Sequence, residues 1–149
     1  MSDATGQAGL LNIMLSIIAI IIVLLAGSIA YSKSFRVKNR IVDIIEKHNS
    51  YDKDAREEIE QTLSKLGYRT TNRSDYNTLC KEVDGFERVN LTSNYLYCVY
   101  TTNDSNDNVY TYKVVAYMYF DIPFLSNTIK IPVSGMTKTL YSDNTKTVD

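Results

Sequence analysis

The sequence predicts an α+β fold. A long N-terminal transmembrane helix continues into an amphipathic helix, a second short helix follows, and an antiparallel β-meander completes the chain. Three observations lead there. Leu10 to Tyr31 (LLNIMLSIIAIIIVLLAGSIAY) is an uncharged, apolar run of about the length a helix needs to cross a bilayer. Apolar residues then recur at helical spacing as far as His48, with no Pro or Gly between Ile29 and Asn49. From Leu79 onward the apolar period changes to two.

The first run reads as a retained anchor. A cleaved signal peptide has a basic start, an apolar stretch of roughly 7–15 residues and a small-residue cleavage site. Here the first nine residues, MSDATGQAG, hold no Lys or Arg, and the apolar run is longer than a signal core. Tyr31-Ser32-Lys33-Ser34-Phe35-Arg36 continues a helix instead of ending one. A wholly buried soluble helix is the bland alternative and carries little weight, because the rest of the chain is too short and polar to surround so many apolar side chains.

Val37, Ile41, Ile44, Ile45 and His48 mark one face of the helix beyond the anchor. Leu10 to His48 would form a rod of about 58 Å, nearly twice the hydrocarbon thickness. Its distal half must lay its stripe on the C-terminal domain. Asp54 and Glu57 fit a capping box for a second helix. Ala55, Ile59, Leu63 and Leu66 give its apolar face, and Gly67 closes it as a left-handed residue. Tyr68 to Tyr76 is polar and reads as a loop.

Leu79–Val83 and Phe86–Leu91 are expected as short strands, and Tyr95–Thr102 as a longer one. Asn103 to Asn108 (NDSNDN) is dense in turn formers. Val109 to Ile122 alternates, with Tyr110, Tyr112, Val114, Ala116, Met118, Phe120 and Ile122 on one side. Pro123–Asn127 reads as a loop. Thr128–Tyr141 returns with Ile129, Ile131 and Val133 inward, Pro132 assigning it to an edge and Gly135 marking a bulge. The two amphipathic helices are the expected cover for the sheet. The division is thus a tail at 1–9, an anchor at 10–31, a head at 32–141 and a disordered polar tail at 142–149.

Composition narrows the function classes. The net charge is −1, from 16 basic and 17 acidic residues, which gives no reason to expect nucleic acid as a partner. Twelve tyrosines and no tryptophan suit half-buried strands, where a ring packs while its hydroxyl reaches water. Cys80 and Cys98 would form one disulfide in an extracytoplasmic domain, closing a loop of about 18 residues worth around 3 kcal/mol. In a cytosolic domain they would be two buried thiols. No metal site is expected, since the spacing fits no zinc pattern and the single histidine, His48, is distant. NDSNDN lacks the Gly and distal Glu of a calcium loop. No catalytic residues, cofactor or small-molecule substrate are expected. Asn72, Asn90 and Asn103 begin glycosylation sequons that an Asn-, Ser- and Thr-rich chain produces by chance.

Within the anchor, Ala19, Ala26, Gly27 and Ala30 are small residues that let helices approach closely, Ala26 and Ala30 at small-xxx-small spacing. Orientation is contested inside the sequence. Lys33, Arg36, Lys38 and Arg40 follow the anchor and nothing basic precedes it, so the positive-inside rule places the head in the cytoplasm. The cysteine pair and the Tyr-, Thr- and Asn-rich β-region argue for the outside.

Three stretches resemble the TadE-like pseudopilins, the small pilin-like proteins of tight-adherence (Tad/Flp) loci in low-GC Gram-positive bacteria. They are Thr5-Gly6-Gln7-Ala8 before the anchor, Val37 to Lys47 leading into the head, and Tyr117 to Tyr141 as paired terminal strands around a proline-containing turn. The resemblance implies a pilin-like fold with an extracytoplasmic head. It implies processing near Gly6 or Gly9 and a cell-membrane, single-pass subunit assembled into a surface filament. Its partners would be the membrane and other pilin-like subunits or secretion-system membrane proteins, and its roles cell adhesion or secretion. Thr5 stands where the family has Arg. The family's glutamate near the start of the anchor is missing, with Leu11 and Asn12 in that region. These departures point to a minor or accessory subunit. The alternative is a single-span component of a secretion or conjugation channel with a protein-binding head.

Overall fold

The computed structural model describes residues 2–104, 109–120 and 128–141, and side chains among these except 2–8, 73, 103 and 104. Its architecture is the expected α+β arrangement. Helix α1 spans Ser2–His48, α2 Lys53–Lys65 and α3 Arg73–Leu79. The strands are β1 Glu87–Arg88, β2 Tyr97–Asp104, β3 Val109–Phe120, β4 Ile129–Met136 and β5 Leu140–Tyr141. They form one antiparallel sheet in the order β1-β2-β3-β4, with β5 pairing β3 beyond the end of β4.

α1 is a single helix that ends where Asn49 takes a φ of 54°. Its backbone is already helical at Ser2, well before Leu10, because once the apolar run has nucleated a helix each added residue costs little. Beyond the apolar run it lies antiparallel to β3. Ser34 Oγ donates to the Tyr117 carbonyl at 3.5 Å, and Glu46 Oε1 accepts the Lys138 N–H at 2.7 Å. Val37, Ile41, Ile44 and Ile45, the stripe read from the sequence, are buried against Tyr97, Val99, Val114 and Ala116 of the sheet.

α2 adds Ala55, Ile59 and Leu63 to the same core. Its N-cap is Asp52, not Asp54: the Asp52 carboxylate accepts the Ala55 N–H at 2.8 Å. Asp54 lies in the first turn, where its charge meets the positive end of the helix. At the other end Gly67 has a φ of 60°, and the Gly67 and Tyr68 N–H groups donate to the Ser64 and Leu63 carbonyls. This pair of bonds is a Schellman close, which a side chain at Gly67 would strain.

The opposite face of the sheet is also covered. α3 and the segment after it pack Tyr76 and Cys80 against Cys98, Tyr100 and Tyr117. The helix replaces part of the expected Tyr68–Tyr76 loop and the expected strand at 79–83, where only a Val83–Phe86 bridge forms. Its two turns bury few apolar side chains, and Asn72 makes no side-chain cap, so its sequence signal is weak.

β4 and β5 run as one interrupted edge beside β3. The break is at Thr137, whose N–H donates to the Tyr112 carbonyl while its Oγ1 accepts the Tyr112 N–H. Gly135 is therefore not a bulge; it pairs regularly with Val114. A Cβ there would lie 2.7 Å from Lys38 Cδ, so the glycine makes room for the Lys38 stem where α1 crosses the strand. Ile129 and Ile131 carry the parity expected, opposite Phe120 and Met118, but are exposed because α1 does not extend over them. Pro132 pairs with Tyr117, whose N–H points to the other side of β3 and donates to Tyr68. The pair therefore exchanges no ladder bonds, and the proline nitrogen faces the outer edge. Residues 105–108 of the expected turn, Ile122, the 123–127 loop and the 142–149 tail lie outside the described residues.

Ile45→Ala, at a fully buried position, is expected to cost about 2–5 kcal/mol. Asp52→Ala removes the helix cap and is expected to cost about 1 kcal/mol. Urea unfolding of the detergent-solubilised chain, followed by near-ultraviolet circular dichroism, ranks the two.

Candidate functional site: an exposed apolar rod on a stapled head

Every side chain from Leu10 to Leu25 is exposed, so none of the described residues covers this part of α1. The helix is long and apolar enough to cross a membrane, a property that anchors and signal sequences share. Of the small residues singled out above, Ala19 stands on this bare part. Ala26, Gly27 and Ala30 are half-buried where the sheet begins. A Cβ on Gly27 would lie 3.3 Å from the Phe120 ring, so the glycine lets the end of β3 approach the helix of its own chain. Gly6 and Gly9 both lie on helical backbone, Gly9 in open surroundings.

Cys80 and Cys98 form a disulfide, with a Cα–Cα distance of 5.5 Å. It ties the C-terminal end of α3 to β2. The same region is held by a buried amide: Asn90 Nδ2 donates to the Tyr97 carbonyl and Oδ1 accepts the Val99 N–H, both at 2.8 Å. Tyr76 donates to the Asn90 carbonyl at 2.7 Å, and Arg88 to the Cys80 carbonyl at 2.6 Å. With its amide committed and buried, Asn90 is no glycan acceptor in the folded head.

Tyr68 closes the sheet where β2 begins. Its hydroxyl accepts the Tyr117 N–H at 2.9 Å and lies 2.9 Å from the carbonyl oxygens of Leu96 and Tyr117. One phenol thus stands in for the missing strand residue. Burial pushes its pKa, and those of Tyr51, Tyr76 and Tyr97, above the ordinary value, because the phenolate would lose its water. On the surface, Glu58 receives Lys47 and His48 at 2.8 Å each, joining α1 to α2. Those bonds, from Lys47 first and then His48, lower its carboxyl pKa. Lys33 donates to the Gly67 carbonyl at 2.6 Å, tying the start of the head-facing helix to the close of α2.

Among the described residues no group of three or more His, Cys, Asp or Glu is placed to hold a metal. An open cleft of about 390 Å³ is lined by Arg69, Thr71, Tyr119 and Lys130. Lys130 in it is paired with Asp75 at 2.7 Å, and Arg69 lies over the Tyr119 ring. Sequence reasoning missed the roles of Tyr68, Asn90, Lys33 and Gly135. Each role depends on a partner at least seven residues away, and no local pattern marks it.

Replacing both cysteines by serine is expected to cost about 3 kcal/mol. Tyr68→Phe leaves the buried Tyr117 N–H without its partner and is expected to cost about 1–3 kcal/mol. Raised folded-state tyrosine pKa values contribute stability that is complete below the ordinary value, about 10. The head should therefore lose stability as pH rises past that value, in step with tyrosinate absorbance, and Tyr68→Phe should weaken the dependence. Glu58 acts in the opposite sense: its contribution is present above the ordinary carboxylate range and fades as pH falls through the lowered value. Urea midpoints measured across pH check both signs. No family model, curated protein or solved structure matches the chain.

Proposed function

We propose that the chain is a membrane-anchored, pilin-like structural or accessory subunit of a surface pilus or secretion assembly. Its head would be extracytoplasmic, and it would act through helix packing and head contacts. One observation carries the reading: α1 is a single helix whose first half is apolar and bare and whose second half is part of the head's core. Such a rod would store the subunit in lipid and later pack against other rods, while the head supplies surface contacts. The disulfide favours an oxidising compartment.

The basic cluster has a second use that weakens its vote on orientation. Lys33 binds the Gly67 carbonyl, and the Lys38 stem lies along Gly135 with its ammonium 4.2 Å from the centre of the Phe35 ring. Both cations make contacts within the chain itself, whichever side the head occupies.

Cys80 and Cys98 are too buried to report sidedness, so the test uses Leu91→Cys at a strongly exposed position. A membrane-impermeant maleimide should label this variant in intact cells. Labelling only after lysis would reject the extracytoplasmic head. Ala19→Cys in the bare helix, derivatised with a photoactivatable maleimide and irradiated, should give covalent pairs of the chain with itself or with similar small anchored proteins. Cross-links only to multi-span membrane proteins would favour the channel-component reading.

A further inference from the structure

We infer, on the reading of Leu10–Tyr31 as the anchor, that the end of the sheet nearest the anchor is a lipid-contact surface. Phe120, Ile129 and Ile131 of the sheet, with Tyr31 and Phe35 of α1, rest in the interface of the bilayer that α1 crosses. The head then sits on the membrane and is not held away from it on a stalk.

The geometry sets the level. Phe120 meets α1 at Gly27, inside the apolar run. The first charged side chain after the run is Lys33, about 9 Å further along the helix. The headgroup layer on each side of a bilayer is only about 5–7 Å thick. A span of about 20 residues ending as early as Gly27 would place Phe120 at the hydrocarbon boundary. A span ending at Tyr31, the end of the anchor, would place it about 6 Å within. Neither placement lifts the tip of the sheet clear of lipid.

The residues at that level suit the position. Ile129 pairs with Phe120 and Ile131 with Met118, and both isoleucines are about 40% exposed, with nothing in the described chain covering them. Tyr31 and Phe35 are exposed on α1 and stack on each other, with ring centroids 6.2 Å apart. Aromatic rings at the headgroup level are the usual interface anchors. Arg36, exposed and next after Phe35, adds positive charge that suits anionic headgroups. The opposite end of the sheet, where β5 reaches Tyr141, pairs with Val109, eleven residues back along β3 from Phe120. At about 3.3 Å per residue, that end stands roughly 36 Å from the tip.

The chain has no tryptophan, so a single introduced indole reports its own surroundings. Four variants of the full chain are reconstituted separately into phosphatidylcholine–phosphatidylglycerol vesicles. The vesicles carry lipids brominated near the top of the acyl chain for the sheet variants and near its end for Ile18→Trp. Ile18→Trp reports the anchor, Ile131→Trp and Ile129→Trp the tip, and Tyr141→Trp the far end. The tip variants should show blue-shifted emission and lose roughly half of it to the brominated lipid. Tyr141→Trp should be unaffected. Quenching of Ile18→Trp without quenching of either tip variant overturns the inference and leaves the anchor standing. Blue-shifted tip emission that brominated lipid does not quench also overturns it, and points to head-to-head packing. Equal quenching of tip and far end overturns the upright geometry. An unquenched Ile18→Trp removes the anchor reading itself.

Discussion

The fold depends on one contact, the stripe Val37, Ile41, Ile44 and Ile45 of α1 against the helix-facing side of β2 and β3. Because that stripe lies on the same unbroken helix as the bare apolar segment, the head's core and the rod cannot move independently. Removing the helix extension would strip the sheet of most of its cover on that face. α2 alone contributes three fully buried side chains there, too few to replace it. The second half of α1 is therefore a structural part of the head.

The second face of the sheet is built differently. Its helix is short, and the disulfide, the buried Asn90 amide and several tyrosine hydroxyls do the holding that a longer helix would otherwise do. Tyrosine suits this role because the ring fills volume while the hydroxyl satisfies a backbone group that has lost its strand partner. Tyr68 and Tyr76 both close backbone groups in this way. The abundance of tyrosine thus has a specific cause beyond general strand preference.

What the sequence made legible follows from the range of each signal. Helical and strand periods act over neighbouring residues, so α1, α2, β2, β3 and the β4–β5 edge were visible, as was the left-handed Gly67. The cysteine pair was legible as a bridge once an oxidising side was assumed. The N-cap was misassigned because two aspartates two residues apart both suit a helix start, and only geometry selects Asp52. α3 was missed because two turns provide too few apolar positions for a period to stand out. Ile129 and Ile131 had the correct parity, but their exposure depends on how far α1 reaches across the sheet, which no local pattern encodes. For the same reason Gly27 was read only as a site for neighbouring helices, while in the fold it accommodates Phe120.

Pro132 carries a consequence for how such molecules could be joined. Its nitrogen, pointing away from β3, breaks the row of hydrogen-bond donors along the free margin midway through β4. An incoming extended chain would find a gap there and could not zip on continuously. Along β4, one copy of the chain could therefore not extend another's sheet without a break.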